Sequence, residues 1–378
     1  MIHYLDNAAT TRVLPEAAEA AVRMMRENFG NPSSLHQMGI AAARVLKESR
    51  NTVAAALGCA PEETYFVSGG TEGINTSILG AARKNRHFGR HIVTTAVEHA
   101  ATLQACRRLE ADGFTVTYVE PDSGGRISAD AVAAVLREDT VLVSTMLVNN
   151  EVGTVLPVAE IGRAVKRICS HALFHIDAVQ GLFRVPLTPY KWNCDLMSVS
   201  GHKIGAPKGI GALYMKKGTR IPPFIVGGGQ ESGFRAGTEP MPNISAFGAA
   251  CRVRMEHIQA DNTHIAALKT YLNEQMERRL PWAQWNGDGD VPHVVNLSLP
   301  GCKSEVMLRV LESDNVFVSA GSACSKGKES PVLRAMGLDK ARIDSALRIS
   351  FAPFNTREDI DALLTAMEKG AKLLKRGS

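Results

Sequence analysis

Several specialised classes are excluded first by what this chain lacks. Its seven cysteines, at 59, 106, 169, 194, 251, 302 and 324, form no C-x-x-C pair and no zinc-ligand spacing, and their number is odd. A disulfide framework is therefore not expected, and the thiols point to a reducing, cytoplasmic setting in which most of them are small buried hydrophobes. No apolar run approaches the roughly 18 residues a membrane-crossing helix needs. Met1 to Thr11 also lacks the basic region and long apolar stretch of a secretory leader. Aromatic residues are scarce at 6%. The 43 basic and 38 acidic residues, a formal charge of +5, are scattered without the concentrated basic run of a nucleic-acid groove, so neither nucleic acid nor membrane is an expected partner. There is no internal repeat, and only Ser319 to Ser330, rich in Ser, Gly and Lys, departs from mixed composition.

What remains is a globular chain of 378 residues, 45% apolar and 21% charged, long enough for a large core and more than one domain. Through the first 215 residues, helical and strand patterns alternate. Helices are predicted near 15–28, 39–57, 72–86, 99–112, 128–137 and 157–171, and strands near 64–67, 91–95, 115–119, 140–145, 173–177 and 195–199. Strands separated by helices predict an α/β fold with a mainly parallel sheet covered on both faces, whose ligand crevice lies at the carboxyl ends of the strands. A long helix is predicted over 243–280, ended by Pro281. Strands near 294–299 and 347–350 and helices near 303–313 and 357–374 then predict a smaller α+β domain. The expected division is a large domain over 15–255 and a small one made of 1–14 and 256–378, which carries the loop 319–330.

Three groups of residues at predicted strand ends could carry chemistry. Ser68-Gly69-Gly70-Thr71-Glu72 follows a strand and opens a helix, which would aim free backbone N–H groups and a hydroxyl at one point. Such turns also open many helices that bind nothing. Asp177 ends an apolar strand, where an unpaired carboxylate is costly and calls for a cationic partner. The protonated nitrogen of a pyridine ring would be one, with Gln180 three residues on reaching the ring's phenolic oxygen, although an Asp here could equally cap the next segment. Lys203 follows Ser200-Gly201-His202 on a glycine-bounded turn, where a desolvated lysine becomes a nucleophilic amine. A loop lysine taken alone is more often a solvated charge.

Together with Tyr4-Leu5-Asp6-Asn7-Ala8-Ala9-Thr10-Thr11, Phe29-Gly30-Asn31-Pro32-Ser33-Ser34, Glu98-His99, Val148-Asn149-Asn150-Glu151-Val152-Gly153, Arg235-Ala236-Gly237-Thr238 and Gly321-Ser322-Ala323-Cys324, these groups resemble the class V aminotransferases. Within that class the chain is similar to the cysteine desulfurases of the NifS/IscS type over nearly its whole length. The resemblance implies the fold of pyridoxal-phosphate transferases, fold type I, like aspartate aminotransferase. It implies that Lys203 holds the cofactor covalently, Asp177 pairs with the ring nitrogen and His99 stacks on the ring. Asn150 and Gln180 would hold ring substituents, and Gly70, Thr71, Ser200 and His202 the phosphate. Thr238 would reach the phosphate of a neighbouring subunit in a homodimer, and Arg348 would clamp the carboxylate of L-cysteine.

Cys324 separates this branch from ordinary aminotransferases. Its neighbours are small, and Lys326 and Lys328 lie close in sequence, which predicts a loop able to swing and a thiol biased toward thiolate. By the resemblance, Lys203 removes the Cα proton, His99 assists the substrate thiol, and Cys324 takes the sulfur as a persulfide for an acceptor protein while alanine leaves. The chain stops at Ser378, short of the tail with which housekeeping desulfurases engage an iron-sulfur scaffold. Seven positions separate Cys324 from Pro331, which fits direct hand-off to an acceptor.

An aminotransferase or a selenocysteine lyase would keep the cofactor and change the chemistry. A phosphate-loop reading of Gly321 to Glu329 fails on spacing, and on Glu329 where a magnesium-binding hydroxyl belongs. The pairs His87 and His91, and His171 and His175, lie outside any H-E-x-x-H pattern, so no metal is expected.

Overall fold

The structure is a computed structural model that describes residues 1–287, 289–321 and 329–376. Its strands, in chain order, are β1 (His3–Tyr4), β2 (Thr64–Val67), β3 (His91–Thr95), β4 (Thr115–Val119), β5 (Thr140–Met146), β6 (Leu173–Asp177), β7 (Leu196–Ser200), β8 (Gly211–Met215), β9 (Gln284–Trp285), β10 (Val294–Ser298), β11 (Val316–Phe317) and β12 (Ala346–Ser350). Seven of them form one sheet in the order β2-β8-β7-β6-β5-β3-β4. From β4 to β7 the pairing is parallel, and β8 is inserted antiparallel between β7 and β2. The expected mainly parallel sheet is therefore present, with one strand that the alternating pattern did not single out.

Strands β3, β5, β7 and β8 are buried along their whole length and β6 from Phe174 onward, which is why they read as largely apolar runs. A core including Val143, Phe174, Ile176, Met197 and Val199 packs one side of this sheet, and a second, including Ile78, Leu142, Leu196 and Leu213, packs against the helix Gly70–Asn85. A separate cluster with Leu268, Leu272, Leu297, Leu347, Ile349 and Leu363 joins the far half of the long helix Met241–Arg279 to the small sheet β12-β10-β9 and the last helix, Arg357–Arg376. Among the described residues no helix is long and apolar enough to cross a membrane.

The N-terminal segment ties the two parts together. Ala8 N donates to Ser350 Oγ at 2.7 Å and Asn7 Nδ2 to Ser350 O at 2.9 Å, both on β12. A few residues later Thr11 N donates to His202 O at 3.1 Å and Leu14 N to Gly205 O at 2.8 Å, on the turn that follows β7.

Candidate active site

At the carboxyl ends of β5, β6 and β7 lies a cavity of about 240 Å³. Gly70, Thr71, His99, Asn150 and Asp177 line it, and so do Gln180, Ser200, His202, Lys203 and Arg348. Of the remaining predicted site residues, Thr238 is exposed and outside this cavity. Cys324 lies outside the described residues, as do Ser322 and Ala323.

Each position has a local cause. Gly69 has φ 154 and ψ −177, a region open essentially to glycine alone, and this turns the chain sharply from β2 into the helix Gly70–Asn85. The first-turn N–H groups of that helix have no intrahelical acceptor and face the cavity end. A Cβ on Gly70 would meet Val179 Cγ2 at 2.7 Å and Ser200 Cβ at 3.7 Å, so the bare backbone leaves a cradle beside the Ser200 side chain. Glu72 holds this turn in place, accepting from Ser68 N at 2.8 Å and pairing with Arg235 Nε at 3.0 Å. Those donors keep the Glu72 carboxyl below its ordinary value in spite of burial.

Asp177 is 5% exposed, and Val179 N, at 3.0 Å, is the one hydrogen-bond donor to its carboxylate among the described residues. Burial raises its pKa, and His99 and Lys203 oppose the shift. A buried carboxylate with one backbone donor and no ion pair is the feature a cationic ring nitrogen would satisfy. His99 caps the helix Ala100–Ala111, where its Nδ1 accepts from Ala101 N at 3.1 Å. That leaves the hydrogen of the neutral ring on Nε2, and burial lowers the imidazole pKa, which favours the neutral form. Beside it Glu98 accepts from Thr95 Oγ1 and Met146 N, each at 2.8 Å, and burial pushes its carboxyl up to about 8.

Lys203 sits on the short turn Gly201–Lys203, and its Nζ donates to Ala8 O at 2.6 Å and Ala9 O at 2.9 Å. His202 Nδ1 is 3.2 Å from Thr10 Oγ1, and burial takes its pKa down to about 4. Gln180 Nε2 donates to Ala8 O at 2.9 Å. The expected reach of Gln180 into the cavity is thus shared with the N-terminal backbone. Arg348 is 1% exposed on β12, with Nη2 2.8 Å from Asp6 Oδ1 and Nη1 3.0 Å from Asn150 O, while its Nε has no partner among the described residues. The guanidinium is held as a fork at the cavity wall, suited to a carboxylate.

Sequence reasoning assigned no role to Asp6, Glu72 or the carbonyls of Ala8 and Ala9. Asp6 and Glu72 fall inside motifs already singled out, so their charge was a usable signal. An alanine carbonyl leaves no mark in a sequence.

The chemistry of these groups matches a small anionic aromatic ring compound with one phosphate end and one basic ring nitrogen. The turn at Gly69 and Gly70 meets the first, and buried Asp177 the second.

Comparison with known proteins gives the family of the chain. The family described as aminotransferase class-V matches residues 3–363. The chain is 40% identical, over 99% of its length and 93% of the relative's, to a protein of Methanosarcina thermophila named cysteine desulfurase IscS. It is 41% identical to a Bacillus subtilis protein named putative cysteine desulfurase IscS 1, over 99% of this chain and 98% of that one. A solved structure titled NifS-like protein superposes with a TM-score of 0.93 at 35% identity, covering 99% of this chain and all of the other.

Proposed function

This chain belongs to the class V aminotransferases and, among them, to the cysteine desulfurases, and from that premise we propose that it binds pyridoxal 5'-phosphate in the 240 Å³ cavity and moves sulfur from L-cysteine to Cys324. The observation that carries this reading is the meeting, in one cavity, of the Lys203 amine, a buried and nearly unpartnered Asp177, and the glycine turn that opens the helix Gly70–Asn85.

Pyridoxal phosphate supplies an aldehyde that links to amines and a ring that takes up the electrons left at Cα. Lys203 is the amine that holds it and the base that takes the Cα proton onto Nζ. Asp177 keeps a proton on the ring nitrogen by Coulomb attraction in a site shielded from water. The free N–H groups of the Gly70 turn, with Thr71, Ser200 and His202, hold the phosphate, and Asn150 and Gln180 orient the ring. Arg348, preset by Asp6 and the Asn150 carbonyl, takes the substrate carboxylate. His99, neutral with its hydrogen on Nε2, offers that N–H from the cavity wall as a hydrogen-bond donor to the substrate sulfur. The Cys324 thiolate then attacks the substrate sulfur; the C–S bond breaks with its electron pair left on carbon, which takes up the substrate thiol proton, Lys203 Nζ returns the Cα proton, and alanine leaves with the persulfide on Cys324.

The natural acceptor is a protein thiol or scaffold of iron-sulfur assembly or another thiolation system. A homodimer is part of this reading, with Thr238 serving the neighbouring copy's phosphate seat. It is supported by the exposure of Thr238, by the Arg235 to Glu72 pair that anchors its segment beside the helix N-terminus, and by exposed Phe29, Phe224 and Val226. Among the described residues six cysteines form no disulfide, which supports a reducing, cytoplasmic compartment.

The test is direct. Purified protein shows a visible chromophore and releases alanine from cysteine, and Lys203→Ala loses both. Full activity of Cys324→Ala on cysteine in the presence of a thiol reductant would sink the persulfide step.

A further inference from the structure

Lys203 also borders a second, far smaller chamber, which shares Val179 and Gln180 with the large cavity. Its volume is about 10 Å³, close to the room that one water molecule requires. Thr11 of the N-terminal segment, Arg184, Lys203, Arg254 of the long helix and His293 of the small domain meet around it, with no carboxylate in its lining.

His293 is the unusual member. It is 5% exposed, its main chain is fixed by Phe351 N donating to its carbonyl at 2.9 Å, and neither Nδ1 nor Nε2 has a partner among the described residues. The cations nearby are all engaged. Arg184 Nη1 donates to Asn262 Oδ1 at 2.9 Å, and Arg254 donates to Ile204 O at 3.0 Å and Asp261 Oδ2 at 2.8 Å. Lys269 donates to the carbonyls of Gly289 and Val291. Burial first, and then the charges of Arg184, Lys269 and Lys203, hold the imidazole well below its ordinary pKa, so it is neutral, with one donor and one acceptor to place. A buried ring with both nitrogens unmet is costly, and a polar chamber of one-water size beside it can meet one of the two.

We propose that this chamber holds one ordered water bonded to both His293 and Lys203, which makes His293 a positioning residue for the Lys203 amine. The segment that leads into β10 thereby reaches the reactive lysine through His293, the residue just before that strand, while Asp177, His99 and Arg348 share the walls of the larger cavity with Lys203 and Asp6 lies within its electrostatic reach. The inference rests on Lys203 being the cofactor-holding residue.

The experiment is a crystal structure of the holoenzyme together with pH titration of its visible band in the wild type, His293→Leu and His293→Gln. A water within hydrogen-bond distance of both side chains is expected. In H293L the midpoint of the titration should fall by about one pH unit, because the protonated nitrogen at Lys203 loses a water that accepts from it. H293Q, which keeps a donor and an acceptor, should restore most of the shift, and the KM for cysteine should stay within about twofold of wild type in both. A dry chamber, or an H293L midpoint equal to that of the wild type, overturns the role of His293. If H293L does not fold, the wild-type crystal structure and H293Q decide. A band that persists in Lys203→Ala instead sinks the reading of Lys203 itself.

Discussion

Asp177 and Asp195 are buried carboxylates at opposite ends of the same sheet, and the chain treats them differently. Asp195, just before β7, accepts from Lys166 Nζ at 2.5 Å and from Phe174 N at 2.8 Å. Asp177, at the far end of β6, has Val179 N alone among the described residues. The histidines repeat the contrast. His175, within β6 and wholly buried, is bonded on both nitrogens, to Ser144 Oγ at 2.8 Å and Ser198 Oγ at 3.0 Å. His99 spends Nδ1 on its helix cap and leaves the other nitrogen to the cavity. One end of the sheet is closed by its own polar groups, and the other keeps polar capacity in reserve for a guest. Satisfied groups there serve the fold and unsatisfied ones serve the reaction.

Exchanging the charge at each end tests this contrast most severely. Asp177→Asn should lower kcat for alanine release by about 10²- to 10³-fold with little loss of thermal stability, since a nearly unpartnered buried charge is removed. Asp195→Asn should do the reverse. Denaturant titration should show a loss of about 2 kcal/mol from the broken, half-buried pair with Lys166 and the weakened bond to Phe174 N, while kcat of the folded protein stays within about twofold. If both variants lose activity alone, or both lose stability alone, the distinction between the two ends fails.

A smaller effect sharpens it at the cavity wall. Arg348→Lys keeps the charge but not the planar fork, and the KM for cysteine should rise about tenfold with a lesser change in kcat. Equal losses in both constants would mean that Arg348 acts in the chemical step rather than in holding the carboxylate.

The smallest effect concerns pH. Burial takes the His175 pKa from 6.5 down to about 3, so the folded chain binds fewer protons than the unfolded chain between those values. Its contribution to stability is complete above pH 6.5 and is lost as the pH falls toward about 3. His175→Gln should flatten the acid limb of the stability profile over that window, read from urea midpoints, without altering the pH dependence of catalysis. An unchanged acid limb would show that His175 is not the closed, neutral group described.

Periodicity and strand-end punctuation made most of the architecture legible. The long helix predicted over 243–280 is Met241–Arg279, and the strand predicted over 173–177 is β6 without change. The helix predicted over 157–171 ends at Ile168, because Cys169 leaves helical geometry before β6 begins. Strand β8 was missed. Gly211-Ala-Leu-Tyr-Met is a short apolar run close behind a glycine-rich turn, and its role as the antiparallel insert between β2 and β7 comes from pairing with strands far away in the chain.

Gly70, Asp177, Ser200 and Lys203 were legible because reactive groups must be particular residue types at strand ends, where a parallel sheet opens its crevice. His99, Asn150 and Arg348, which line the same cavity, were expected from the resemblance alone, and Thr238 lies outside it. The amino-acid order therefore determined which strand-end residues would gather, and at which end of the sheet. Tertiary structure decided what each of them still has to offer. The Lys203 amine meets a carbonyl 195 positions away, and Arg348 meets a carboxylate 342 positions away. Hydrogen-bonding capacity is spent or kept only when such distant groups arrive, because a partner's identity is written locally and its distance is not.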